Sequence, residues 1–340
     1  MKIDIFNHLF PKRYFDEYID VGEKLGGMGK RVQNISHITN LDNRFRVMDE
    51  FGEYCQVISL PGPPVEILAG PEKSAEMAKV ANDGMAEVVA KYPKRFPSFV
   101  ACLPMNNPEA AVKEMDRAIN RLGAVGVQLY SNAANKPLTL PEFLPIFEMA
   151  VNTDSPIWLH PDRHADFADY KTEDSSQFEI FWTFGWPYET SVAMARMVFA
   201  GFFDRWPNLK VITHHMGAMI PYFTGRVGYG WDQLGTRTVD KDYKALLKSM
   251  PKRPIDYFHS FYADTALFGG RAGTQCGLDF FGVDHVVFAS DVPFEPSPGL
   301  YVRETIAVIE SLNLTADEKD RIYRRNAMKL LNLESKGIKV

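Results

Sequence analysis

Five residues carry the chemistry open to this chain: His8, His160, His214, His215 and Asp291. Each stands at or just past the end of a short apolar run, within the segments IDIFNH, PIWLH, VITHH and VVFASD. Imidazole nitrogen and carboxylate oxygen together suit zinc, manganese or iron, and three protein ligands with one open position make a catalytic rather than a structural site. Such an ion activates water or polarises a carboxylate. A lone histidine is more often a hydrogen-bonded core or surface residue than a ligand, and His37, His164, His259 and His285 are read that way. Asp291 alone, in FASDVPF, also reads as a helix N-cap or a turn carboxylate. What sets His8, His160, His215 and Asp291 apart is that one architecture would bring their strand ends to a single rim. Successive strand residues point to opposite sides, so only one of His214 and His215 is expected to face the ion.

That architecture is legible in the rest of the chain. Apolar runs at 1–6, 54–60, 98–103, 124–130, 156–160, 209–214, 261–265 and 285–290 read as eight buried strands bounded by Gly, Pro or polar residues. Between them lie helical patterns. One opens with Asn107 as N-cap and Pro108 at the first helical position, repeats Ala111, Met115, Ala118 and Leu122, and stops at Gly123. Others run over about 72–92, 140–152, 188–203, 217–229 and 300–312, and a capping box at 315–318 opens the last. Eight strands alternating with about eight helices predict an α/β fold, a (β/α)8 barrel, as one domain over 1–340. Two connections exceed what a barrel needs, 8–45 after strand 1 and 161–187 after strand 5. Both follow strand C-terminal ends and are expected to be rim insertions that build the pocket.

Composition narrows the partners. The 340 residues are 46% hydrophobic and 24% charged with net charge -5, and Lys and Arg form no basic run, so nucleic acid and anionic membrane are not expected. No apolar run approaches the roughly 18 residues of a membrane span and the start lacks a signal-peptide pattern, which reads as cytoplasmic. Three dispersed cysteines make neither a disulfide framework nor a metal knuckle. Aromatic content is 13%, and its densest stretch is 178–188. That stretch reads either as a helix face with a turn at Gly185 and Pro187, or as an apolar wall on which Trp182, Phe184 or Trp186 orients a planar substrate.

Taken in order and at their separations, IDIFNHLFP, PIWLHP, LKVITHHMGAMIPYFTGR and VVFASDVPF resemble the amidohydrolase superfamily. The branch resembled contains aminocarboxymuconate-semialdehyde decarboxylase and the decarboxylases of γ-resorcylate and 5-carboxyvanillate. The resemblance implies a (β/α)8 barrel, a divalent metal at the strand C-terminal ends (zinc, with manganese as the alternative), ligands His8, His160 and Asp291, and catalytic roles for His215 and Asp291. His214 is then the extra residue of its pair, though a slipped register would exchange the two. Asp264 matches a recurring strand-7 carboxylate of structural role. One departure stands out: the first position of the strand-1 HxH is Phe6, which cannot donate to a metal. The site then binds metal more weakly, recruits Asp162 or Asn7, or works without metal. Arg31, Arg44 and Arg46 lie where a substrate carboxylate would be gripped, with Arg44 taken as the candidate beside Trp182 and Trp186.

The expected activity is metal-dependent, non-oxidative decarboxylation of an aromatic or unsaturated carboxylic acid, with a small carboxylic acid as partner and a homodimer as the assembly the resemblance implies. Two other readings stay open at this stage: a metal-dependent hydrolase of an amide, lactone or ester, and a metal-poor barrel that binds a ligand without turnover.

Overall fold

Each of the eight apolar runs forms a strand in the computed structural model, which describes residues 1–22, 31, 32 and 34–340. They are β1 (Lys2–His8), β2 (Tyr54–Ser59), β3 (Val100–Cys102), β4 (Gly126–Tyr130), β5 (Ile157–His160), β6 (Val211–Thr213), β7 (Tyr262–Asp264) and β8 (Val286–Val287). β3 to β8 pair in parallel in sequence order, and β1 pairs in parallel with β2. Two seams close the ring. Ile58 bridges Phe99 between β2 and β3. Between β8 and β1, Ile5 N–H donates to Phe288 at 3.1 Å, Asp291 N–H to Phe6 at 3.0 Å and His8 N–H to Val292 at 2.7 Å. The last two of these seam bonds lock the ends that carry His8 and Asp291 against each other.

β1 contains a bulge. Asp4 is level with Gln56 but Asn7 with Ile58, so three steps on β1 match two on β2. The extra residue puts both Ile5 and Phe6 into the apolar barrel interior, while Asn7 turns outward and His8 inward. Two residues below each rim group the strands present an apolar side chain: Phe6 under His8, Trp158 under His160, Ile212 under His214 and Ala289 under Asp291, all in one buried cluster. This floor is fully buried and apolar. The Trp158 indole N–H crosses it to the Ile5 carbonyl at 2.8 Å, and Gly126 makes room, because a Cβ there would stand 2.6 Å from the indole ring.

The helix of Pro108–Leu122 begins and ends as expected: Asn107 accepts the Ala110 N–H, and Gly123 takes φ +82°. The capping box also forms, with Thr315 and Glu318 bonding each other's backbone N–H at the head of a helical run to residue 330. Two helices differ from expectation. The one expected over 188–203 starts at Gly185 and breaks after Phe199, where Gly201 turns left-handed. The one expected from 217 starts only at Thr224, because the backbone just after β6 is left-handed. The long connection after β1 carries a helix at Lys12–Gly22 and another at Leu41–Asp49, with positions 23–30 and 33 of that stretch outside the described residues. A third long connection, between β6 and β7, carries helices Thr224–Trp231, Tyr243–Ser249 and Pro254–Phe258. No described helix is long and apolar enough to cross a membrane.

Candidate metal centre

Three imidazoles meet above the apolar floor, and each is oriented by its outer nitrogen. His8 Nδ1 lies 3.1 Å from Ser59 Oγ, whose own hydroxyl donates to the Asn7 carbonyl, so the serine oxygen accepts from the ring. His160 Nδ1 donates to the Pro161 carbonyl at 2.7 Å. His214 Nδ1 donates to Asp264 Oδ2 at 2.5 Å. A histidine whose outer N–H is tied to a hydroxyl, carbonyl or carboxylate presents its Nε2 in a fixed plane, the arrangement that orients metal-ligating imidazoles. The ligand atoms of His8, His160 and His214 lie within 4.8 Å of one another, as do those of His214, His215 and Asp291.

Asp291 joins the two groups. Its Oδ1 is 3.1 Å from His8 Nε2 and 3.3 Å from His214 Nε2, and its Oδ2 is 3.5 Å from His215 Nε2. All of these groups are buried, yet Nε2 of His8, His214 and His215 makes no hydrogen bond. Buried polar atoms left unpaired at such cost imply a group that they serve together. Separations of 3.1 and 3.3 Å are those of neighbouring vertices around an ion with bonds of about 2.0–2.2 Å, so the donor set fits a divalent cation.

The electrostatics agree. Burial lowers His8, and it lowers His160 well below the ordinary histidine value with help from the neighbouring His8 and His214. Burial works against a charge on His214 too, but Asp264 and Asp291 override it and push the group up to about 9. Burial opposes the Asp291 charge, and the surrounding imidazoles still hold that carboxyl well below its usual range. Of the two carboxylates, Asp264 lies on the outer nitrogen of His214 and Asp291 is the one that faces the converging imidazoles.

Both His214 and His215 face the centre, contrary to the alternation expected of a strand. β6 ends at Thr213, and the backbone then turns left-handed at His215 (φ +55°), Met216 (+55°), Gly217 (+74°) and Ala218 (+56°). Alternation holds only for extended backbone. The two rings stack 3.8 Å apart as a result. Asp264 clamps the turn by accepting from the N–H groups of His215 and Ala266, in keeping with a structural role. From outside, helix Arg271–Phe281 presses on it: a Cβ at Gly217 would meet the Phe281 ring at 2.5 Å, and one at Gly277 would overlap Met216.

Other candidates fall elsewhere. Arg44 is buried behind β1, where its guanidinium donates to Gln56 Oε1 at 2.8 Å, the His8 carbonyl at 2.6 Å and Asn7 Oδ1 at 2.7 Å. It positions β1 and is not turned toward a substrate, a correction to its expected role. The same bonds remove Asn7 as a replacement ligand. Asp162 is buried beside His164, with Oδ2 unpaired, but is not among the converging donors. Arg31 donates to the Phe294 carbonyl and Arg46 to Asn43, both from exposed positions. His37, His164, His259 and His285 each find a partner away from the centre.

Of the aromatic stretch, Trp186 packs edge-on to His160 at 5.8 Å, anchored by its N–H to the Arg163 carbonyl, and Trp182 backs it at 6.2 Å. Phe184 is 74% exposed and forms no part of a wall. Gly185 opens a helix instead of a turn, and a Cβ there would run into Arg163. Three aromatics not anticipated complete a collar: Tyr130 at 4.9 Å from His160, Phe294 at 5.6 Å from His8 and Phe268 at 5.5 Å from His215. Their signal was position alone, since each ends or closely follows a strand. Near Tyr130 and Asp162 lies a further unanticipated group, Glu66, whose carboxyl burial raises to about 8.

Known proteins resemble this chain in both sequence and fold. A family model described as amidohydrolase matches residues 36–333. The chain is 32% identical over 307 residues to a gamma-resorcylate decarboxylase of Polaromonas sp. strain JS666, covering 86% of this chain and 87% of the relative. It is 28% identical over 349 residues to a 2-amino-3-carboxymuconate-6-semialdehyde decarboxylase of Dictyostelium discoideum, covering 98% and 92%. Among solved structures, a dihydroxybenzoic acid decarboxylase of Polaromonas sp. JS666, with bound manganese and the inhibitor 2-nitroresorcinol, aligns with TM-score 0.79 and 26% identity over 98% of this chain and 97% of its own.

Proposed function

The chain belongs to the amidohydrolase family, and on that premise we propose that it is a divalent-metal-dependent, non-oxidative decarboxylase of a small aromatic carboxylic acid. The observation that carries this reading is the set of buried, unpaired Nε2 atoms gathered around Asp291. His8, His160 and Asp291 would hold the ion. Zinc suits an imidazole-rich donor set, and manganese is the ion in the similar Polaromonas structure.

A bound divalent ion supplies Lewis-acid polarisation and neutralises the charge of substrate oxygens. The chain's own residues do the rest. Trp186, Tyr130, Phe268 and Phe294 form an apolar collar that aligns a flat ring and thins out water, which strengthens every charge interaction beneath it. His215 Nε2, 3.5 Å from Asp291, carries a proton to the ring carbon as the bond to the carboxylate breaks. The carboxylate leaves as carbon dioxide and one proton takes its place, so no oxidant is needed. Asp291 sets a negative charge beside the imidazole that handles this proton.

The test pairs metal content with chemistry. The purified protein is expected to hold one zinc or manganese per chain, to release carbon dioxide from 2,6-dihydroxybenzoate or a related hydroxybenzoate, and to carboxylate the product in 13C-bicarbonate. Ester or amide cleavage without bicarbonate exchange would instead mark a hydrolase, and the absence of both metal and turnover would leave a binding barrel. Light scattering tests the homodimer that the family resemblance suggests.

A further inference from the structure

We infer that His214 is a metal ligand in this chain, taking the place on the donor set that Phe6 has given up; the inference rests on the metal-dependent reading above. Three observations carry it. First, His214 Nε2 stands 3.3 Å from Asp291 Oδ1, on the same carboxylate oxygen that His8 Nε2 approaches at 3.1 Å, and neither nitrogen makes a hydrogen bond. An imidazole there merely to pair with Asp291 would take hydrogen-bond geometry. Second, His214 is held as a ligand is held, with its outer nitrogen on a buried carboxylate, Asp264, whose other oxygen fixes the next backbone N–H. His215 has no comparable side-chain anchor among the described residues, as befits a group that must exchange protons.

Third, Phe6 is shaped to this arrangement. Its phenyl ring has no lone pair, yet it sits within the donor cluster, edge-on to His8 at 5.7 Å and to His160 at 5.8 Å. Against His214 it lies face to face, centroids 3.8 Å apart and planes inclined by 27°. A flat ring stacked on the imidazole braces its plane without competing for the ion. The donor missing from β1 is thus supplied from the end of β6, and the imidazole count of the site stays at three: His8, His160 and His214, with Asp291 as the carboxylate.

X-ray absorption at the zinc edge of the loaded wild-type protein counts imidazoles without needing turnover, and is expected to give three. A competition assay with a chelator is expected to show His214→Gln holding zinc roughly 100-fold less tightly or worse, more than the loss of an orienting partner alone, with two imidazoles at the edge. The double variant Phe6→His, His214→Gln is expected to return to three imidazoles and recover most of the affinity. Because His214→Gln takes away the imidazole partner of Asp264 Oδ2, circular dichroism and the wild-type imidazole count guard against a folding artefact. Two imidazoles in the wild type, or unchanged affinity in a folded His214→Gln, would overturn the assignment of His214 while leaving the metal-dependent reading intact. A wild type that takes up neither zinc nor manganese would overturn both.

Discussion

Arg44 donates to the backbone carbonyl of His8 at 2.6 Å, from the opposite side of the strand to the imidazole. The same guanidinium reaches Gln56 and Asn7, and burial draws it down only to about 10, so it stays charged at neutral pH. The position of His8 therefore depends on a cation behind the barrel wall. Arg44→Leu removes three donors at once and strands the His8 carbonyl, Asn7 Oδ1 and Gln56 Oε1. A loss of about 3 kcal/mol or more in chemical denaturation is expected, together with weaker metal retention. If Arg44 gripped substrate instead, the variant would keep its stability and raise KM alone.

His215 separates chemistry from metal binding. His215→Asn is expected to keep one ion per chain and to lower kcat by roughly 10²–10⁴-fold, the range of a lost proton-transfer group. Single-turnover assays on the metal-loaded variant check this. Loss of the ion in that variant would mean that His215 is a ligand.

Trp186 sets its edge against the proposed ligand His160 at 5.8 Å. Trp186→Ala is expected to cost about 1–2 kcal/mol of transition-state stabilisation, a fall of roughly 5- to 30-fold in kcat/KM. Phe184→Ala, at an exposed ring, is expected to change nothing in the same assay.

Glu66 makes stability depend on pH in a direction that can be worked out. Its carboxyl rises from an ordinary 4.5 to about 8 because of burial, reinforced by the nearby Asp162, and Oε1 has no partner. The folded state prefers the proton, so this contribution is whole below pH 4.5 and is lost as pH climbs through 8. Relative to Glu66→Gln, the wild type is expected to lose roughly 2–4 kcal/mol between pH 5 and pH 9, measured by urea unfolding at each pH. A constant difference across that range would mean that Glu66 is ionised throughout.

The strand ends were readable because four of the eight apolar runs lead directly to a histidine or aspartate, and closure of a barrel turns distance along the chain into proximity. The pair His214 and His215 was not, because nothing in their residue types announces a left-handed backbone at His215 and Met216; the packing of a distant helix imposes it. Arg44 was misjudged for a related reason. A charge near the right strand reads as substrate-binding until the bulge in β1 shows which side of the wall it occupies. Phe6 can be seen from its residue type to lack a lone pair, but the imidazole stacked on it comes from the end of β6, a relation that no local spacing encodes.

Helix Arg271–Phe281 touches none of the proposed reacting groups, yet Gly277 and Phe281 mould the turn on which His215 sits. The aim of the proton-handling imidazole is therefore set from the outer layer of the molecule, through Met216 and Gly217. Any side chain introduced at position 277 must displace Met216, itself a buried core residue next to His215. A change on this outer helix would thus reach the turn that carries His215 without touching the imidazole itself.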